Sequence, residues 1–474
     1  MLELPVELQR NCIEFLSSDV TTLKAVRLIN KLLNELASET LFHTVSFTNN
    51  KNSPPRFTQT ANSSLRKHIR HVIITTSDDP DPRLPIYRIP TKILGAFKDA
   101  IELLPQLERM ERVDLKFSSF CIDHPNMTHT VLESVDFRRE ITDLCFQALA
   151  QCEKIKSLMI KNLHDAMDGL THPESFLPSV RGRLTELHLE IVPQDTEAGP
   201  EELIDNEALH RGLSCYLPNL WLKPTTNQLT RLTLDCDVFW GVWPLIDFRE
   251  IPPFPHLKSL FLARWTIAHD WQVDWIVAHG ATLEALTLHC CFVVRGLHMN
   301  YEQAEANFPQ LVQPGPTFDP SILGIASPYE WQVGGPEYFV KVHLRWHQML
   351  ERFRVGLQRL RHFALNYTWP SHTFESRYDL TRHFSGAGYI FFDYTILGYI
   401  YIDNPWDFYN TRDYIDENGD LLDEFREEVD WGDEKDERAF VALAETVQQR
   451  TSTITEWSST SNALSCPSDS GGPV

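Results

Sequence analysis

Residues 229–236 read Leu-Thr-Arg-Leu-Thr-Leu-Asp-Cys, and residues 283–290 read Leu-Glu-Ala-Leu-Thr-Leu-His-Cys. Both stretches place leucine at the first, fourth and sixth positions. The fourth and sixth flank one side chain of another kind, the period-two signature of a strand with one buried face. The same spacing recurs at Leu184/Leu187/Leu189 and Leu257/Leu260/Leu262. Looser copies stand at Ile69/Val72/Ile74, Met110/Val113/Leu115, Leu132/Val135/Phe137, Ile155/Leu158/Ile160 and Leu360/Phe363/Leu365. One triplet says little. The series predicts short strands that share a core.

Helical periodicity fills the gaps between triplets. From Asp270 to His279, Val273, Ile276 and Val277 share a face, Asp270 can cap, and Gly280 can end the helix in a left-handed conformation. Ile141 to Cys152 and Lys341 to Leu357 read the same way. Residues 297–338 carry six prolines and scattered glycines and predict a long loop insertion. Many of the triplets are about 22 to 29 residues apart, a spacing that resembles leucine-rich repeats. The expectation is an α/β chain whose residues 65–370 form an irregular leucine-rich-repeat solenoid. Each strand–turn–helix unit would bury its apolar face against its neighbours.

Alternation then maps a second face. With Leu187, Leu189, Leu232 and Leu234 inward, Glu186, His188, Glu190, Arg231, Thr233 and Asp235 point the other way. Ser259, Phe261, Ala263, Ala285, Thr287 and His289 follow by the same rule. This mixed, partly acidic row is the candidate concave binding surface for a target protein; ordinary solvated strand residues would look the same.

The first 47 residues read as about three short helices. Leu4-Pro5 opens the first, where proline costs little because early helical N–H groups lack partners. Leu8, Cys12, Ile13, Phe15 and Leu16 form its apolar face, and Ser17-Ser18-Asp19 supplies a break with capping chemistry. Leu23, Val26, Ile29, Leu33 and Leu36 recur at helical spacing, and Leu28 and Leu32 add a second stripe. Leu41-Phe42 and the strand-like Thr44-Val45-Ser46-Phe47 follow. So small a unit holds little core, and its surplus apolar surface needs a partner or the next domain.

The order Leu4-Pro5-x-Glu7-Leu8, Ile13, Leu16, Leu23-Lys24-Ala25-Val26-Arg27, Asn30-Lys31, Leu36-Ala37-Ser38, Leu41-Phe42 resembles an F-box. Leu33 stands where many F-boxes carry an aromatic. The resemblance implies a three-helix module over 1–47 that binds a Skp-type adaptor, and through it a cullin, by Leu4, Pro5, Leu8, Ile13, Leu16, Val26 and Leu33. Repeats behind an F-box resemble fungal substrate-recognition subunits of ubiquitin ligases. They imply capture of a target protein with no bond chemistry in this chain. The alternative is a leucine-rich-repeat scaffold outside any ligase.

The remaining organisation follows composition. Residues 48–64 are polar, contain Pro54-Pro55 and read as a linker. Residues 371–450 are expected to cap the array and include an apolar aromatic hairpin from Tyr389 to Ile402. From Asp403 to Glu437, 15 acidic residues face only Arg412, Arg426 and Lys435. The Ser/Thr-rich stretch 451–474 is expected to be disordered. A formal charge of −22 argues against nucleic acid and anionic membranes as partners. Nine scattered cysteines without a CxxC pair, and no apolar leader, predict reduced thiols in cytoplasm or nucleus.

Other motifs carry little. Asp469-Ser470-Gly471-Gly472-Pro473 resembles the nucleophile stretch of trypsin-like proteases, but nothing positions a histidine or aspartate beside it. The loop around Asp416, Asn418, Gly419 and Asp420 places Phe425 where a calcium loop needs glutamate, so an Asn-Gly hairpin is the better reading. No HExxH, zinc-finger set or phosphate loop occurs, and no cofactor or metal is expected. Trp240, Trp243, Trp265, Trp271 and Trp275 are expected to seal a core rather than cage a ligand.

Overall fold

The computed structural model describes residues 4–77, 92–118, 133–165, 167, 176–193, 207–308, 325–331, 335–366, 389–393, 398–401 and 433–463. The acidic stretch up to 432, the Asn-Gly hairpin and residues 464–474 lie outside them. The chain divides into two compact units, Met1–Val238 and Phe239–Val474.

Unit 1 opens with three helices, α1 (Val6–Glu14), α2 (Val20–Val26) and α3 (Lys31–Leu41), which lead into β1 (Thr44–Thr48). Then come α4 (Ser53–Ala61), β2 (His71–Thr75), α5 (Gly95–Glu102), β3 (Arg112–Lys116), α6 (Val135–Ala150), β4 (Ser157–His164), α7 (Leu177–Arg181), β5 (Glu186–Val192), α8 (Glu207–Arg211) and β6 (Arg231–Cys236). The strands pair in parallel. Val72, Val113, Leu158, Leu187 and Leu232 stand in one register line, and Ile74, Leu115, Ile160, Leu189 and Leu234 in the next. All ten are essentially buried. The triplet leucines are thus the floor of the sheet, each packed against its counterpart on the adjacent strand.

A buried ion pair ties the strand ends of unit 1 together. Arg138 on α6 donates to Glu133 at 3.0 Å, and neither side chain reaches solvent beyond 3%. Glu133 also accepts from the Thr76 and Ser77 hydroxyls and from the Ser118 N–H. Arg138 Nη1 and Nη2 donate to the Asn162 and Ser118 carbonyls. Every charge-bearing atom is therefore partnered, the condition under which a buried pair is tolerable. Asn162 itself has φ 59°, a left-handed conformation, and its amide donates to the Phe117 carbonyl at 2.8 Å.

Unit 2 contributes β7 (Ser259–Ala263), β8 (Thr266–Ile267), α9 (Asp270–Val277), β9 (Ala285–His289), β10 (Phe292–Met299), α10 (Tyr301–Asn307), β11 (Ile325–Trp331), β12 (Gly335–Lys341), α11 (Trp346–Gly356), β13 (His362–Asn366), β14 (Tyr389–Asp393), β15 (Gly398–Tyr401) and α12 (Asp433–Ala463). Leu260, Leu286 and Phe363 align, as do Leu262, Leu288 and Leu365. A second, mixed sheet has the order β11-β12-β10-β14-β15, with β8 also on β10. Trp240, Trp265 and Trp275 are buried with Phe248 and Phe254, so these aromatics do seal a core; Trp243 and Trp271 stay partly exposed.

The α/β character stands, but the expected architecture is corrected. Nine strands are all parallel, in the order β1-β2-β3-β4-β5-β6 in unit 1 and β7-β9-β13 in unit 2, beside twelve helices among the described residues. A solenoid of strand–turn–helix units is not shown. The helices between these strands range from the five residues of α7 to the sixteen of α6, and strands of a second sheet intervene in the chain between β9 and β13. The N-terminal helices run straight into the first strand and are not a clear three-helix F-box.

Several local readings change too. Val135 and Phe137 begin α6 instead of a strand, because the Ser134 hydroxyl accepts from the Phe137 N–H at 3.2 Å and caps the helix. The ninth strand is β1. The expected linker contains α4, whose prolines sit in its first turn where N–H groups are spare. The expected loop over 297–338 holds the end of β10, α10, β11 and most of β12. Residues 451–463, read as part of a disordered tail, continue α12. Gly280 is not left-handed; a side chain there would meet the Gly356 carbonyl at 2.1 Å, so glycine permits close approach to α11. The aromatic hairpin is present: β14 and β15 pair antiparallel, with Tyr389, Ile390 and Phe392 buried.

Candidate functional site

Local chemistry defines the N-terminal helices. Asp19 caps α2 by accepting from the Thr22 N–H at 2.9 Å. Bonds from the Thr22 hydroxyl and backbone hold the Asp19 carboxyl below its usual range. Asn30 caps α3 through the Leu33 N–H at 2.9 Å. Between the helices lies a small core of Ile13, Leu23, Leu33, Leu36 and Ala37, with Leu16, Val26 and Leu41 packed on it.

That core does not use all the apolar side chains. Leu4, Val6, Leu8, Phe15, Val20, Leu28, Ile29 and Leu32 remain exposed, Phe15 at 88% and Leu28 at 87%. They are eight of the twelve large hydrophobics found exposed among the described residues, all within the first 32 positions. Leu4, Leu8, Cys12 and Phe15 follow at spacings of four, four and three, so they share one face of α1 and its flanks. Fully burying an exposed side chain of this kind is worth roughly 1.5–3 kcal/mol, a range that applies to Phe15 and Leu28 and less to those already partly covered. Clusters of this kind mark contact surfaces more often than chance exposure does.

The adaptor-contact residues expected from sequence therefore separate. Leu4, Pro5 and Leu8 are exposed, whereas Ile13 and Leu33 are buried at 1% and 2% and Leu16 and Val26 are half-buried against the core. Helical spacing alone does not tell an inward stripe from an outward one. Phe15, Leu28, Ile29 and Leu32 were visible as apolar positions but not as the outer face. The signal was their surplus over what one narrow core needs.

The sheet face of unit 1 is a polar ladder. Glu186 pairs in register with Arg231, His188 with Thr233 and Glu190 with Asp235. Arg231 reaches Glu186 at 3.5 Å and Lys161 reaches Glu190 at 3.9 Å. The His188 ring bonds the Thr233 hydroxyl at 2.7 Å, and burial pushes its pKa down to about 4. Farther along, the Arg112 guanidinium forks onto Asp114, and the His71 ring meets the same carboxylate at 3.1 Å. Burial works to raise the Asp114 carboxyl; these bonds outweigh it and hold it low. Thr233 and Asp235 are buried, which corrects their placement on an open surface, while Glu186, His188 and Glu190 are half-buried and Arg231 is exposed.

In unit 2, Ser259, Phe261, Ala285 and Thr287 are half-buried, whereas Ala263 and His289 are buried. Phe261 and His289 stack at 6.2 Å. Burial, with Arg264 nearby, lowers the His289 pKa to about 4. The described residues contain no group of three or more His, Cys, Asp or Glu side chains that could hold a metal. No described helix is long and apolar enough to cross a membrane. No family model matches this chain, and no curated protein matches it.

Proposed function

We propose that this chain is the substrate-recognition subunit of a Skp–cullin–F-box type ubiquitin ligase, acting in cytoplasm or nucleus. The N-terminal helices dock the adaptor, and through it the cullin. The polar sheet face, led by Glu186, His188, Glu190 and Arg231, holds the target protein. The chain performs no bond chemistry; it raises the local concentration of a target's lysines near a ubiquitin-loaded enzyme and orients them. The observation that carries the reading is the apolar surface left open on α1 and around the α2–α3 turn, where eight of the twelve exposed large hydrophobics among the described residues lie.

The test is co-purification with a Skp-type adaptor, of the wild-type chain and of a Leu8→Asp/Phe15→Asp double variant. The expected outcome is a stoichiometric complex with wild type and none with the variant. A monodisperse wild-type chain that leaves the adaptor behind would sink the ligase reading and leave an interaction protein outside any ligase.

A further inference from the structure

Within unit 2, one helix holds another by both ends. α11 begins at Trp346, and the first N–H groups of a helix have no partner inside it. Here they are met from a distance in sequence. The His347 N–H donates to Asp436 Oδ1 at 2.7 Å, and the His347 ring contacts the same oxygen at 2.9 Å. The Trp346 N–H donates to the Tyr389 hydroxyl at 3.1 Å, which in turn donates to Asp436 Oδ2 at 2.7 Å. At the other end, Arg450 donates to the carbonyls of Leu357 at 2.7 Å and Arg354 at 2.9 Å. A carboxylate thus sits at the positive end of the α11 dipole and a guanidinium at its negative end, both supplied by α12.

The spacing makes this possible. Asp436 and Arg450 are 14 residues apart, about 21 Å along a helix. The span from His347 to Leu357 is about 15 Å, and the long arginine side chain bridges the difference. The two helices therefore run in the same direction. Between the two caps, Phe440, Leu443 and Val447 are buried, with Asp436 the first member of the same stripe at 1% exposure. Phe440 meets Phe363 of β13 at 6.1 Å, and Thr451 donates to the Arg361 carbonyl just before that strand.

We propose that Asp433–Thr451 is a clasp. Its engagement sets the order of α11 and of the start of β13, so truncation or modification beyond residue 432 acts on unit 2 by releasing this grip. Hydrogen exchange on the full chain tests it. Asp436→Ala and Tyr389→Phe are expected to speed exchange at the first turn of α11 at least tenfold, and Arg450→Met to do so at its last turn. Unit 1 strands should keep wild-type protection. If Asp436→Ala does not accumulate as folded protein, Asp436→Asn is read in its place, with at least a threefold effect at the same end. The clasp is overturned if protection of α11 is unchanged in these variants, or if each variant loosens both ends and unit 1 alike.

Discussion

Ile13 in the last turn of α1 and Phe15 just past its end meet opposite environments, 1% and 88% exposed. Ile13→Ala should cost about 2–4 kcal/mol of stability by opening a cavity, whereas Phe15→Asp should stay within about 0.5 kcal/mol, both by urea unfolding. The Glu133–Arg138 pair makes a sharper case. Arg138→Met strands a carboxylate that is 0% exposed and should cost about 3–5 kcal/mol in the same assay. Histidines shielded from solvent in whole or in part set the pH response. His164 is lowered to about 3 and His188 and His269 to about 4, each chiefly by burial, so their folded pKa lies below the unfolded value near 6.5. Their contribution is intact above about pH 6.5 and is lost as pH falls toward 4, because the unfolded chain then binds protons that the folded chain resists. A thermal melt series over that window should fall with acidity, and His188→Gln should make the fall shallower.

At the scale of elements, much was legible. Eight of the nine triplets lie on or lead into the parallel strands, because period-two alternation with β-branched and leucine side chains is strong where one face is buried. The Leu132 triplet failed because Phe137 heads a buried helical stripe with Ile141, Cys145 and Leu149, and the Ser134 cap starts that helix. Ser134→Ala should cost about 1 kcal/mol, read from thermal unfolding with exchange at the start of α6 as the local check. The proline-rich stretch misled in the other direction: prolines permit the β11–β12 hairpin where they sit, and composition does not report pairing. Among site residues, the alternation rule found the sheet face. It could not foresee that Thr233 and Asp235 would be shielded, which depends on neighbours across strands.

For the molecule as a whole, the sequence pointed to α/β and to a series of short strands sharing a core, but the irregular repeat solenoid rested on triplet spacing alone. Spacing is indifferent to what fills the gaps, and here a second sheet fills one of them. The functional account rests on the apolar surface of α1–α3 being meant for another polypeptide. Titration calorimetry with a purified Skp-type adaptor, repeated at several temperatures, measures this directly. Burying Leu8, Phe15 and Leu28 predicts saturable binding with a negative heat-capacity change, abolished by Leu8→Asp/Phe15→Asp in a chain that melts like wild type. Absence of binding by the wild-type chain, or binding that the double variant leaves unaltered, would contradict the account.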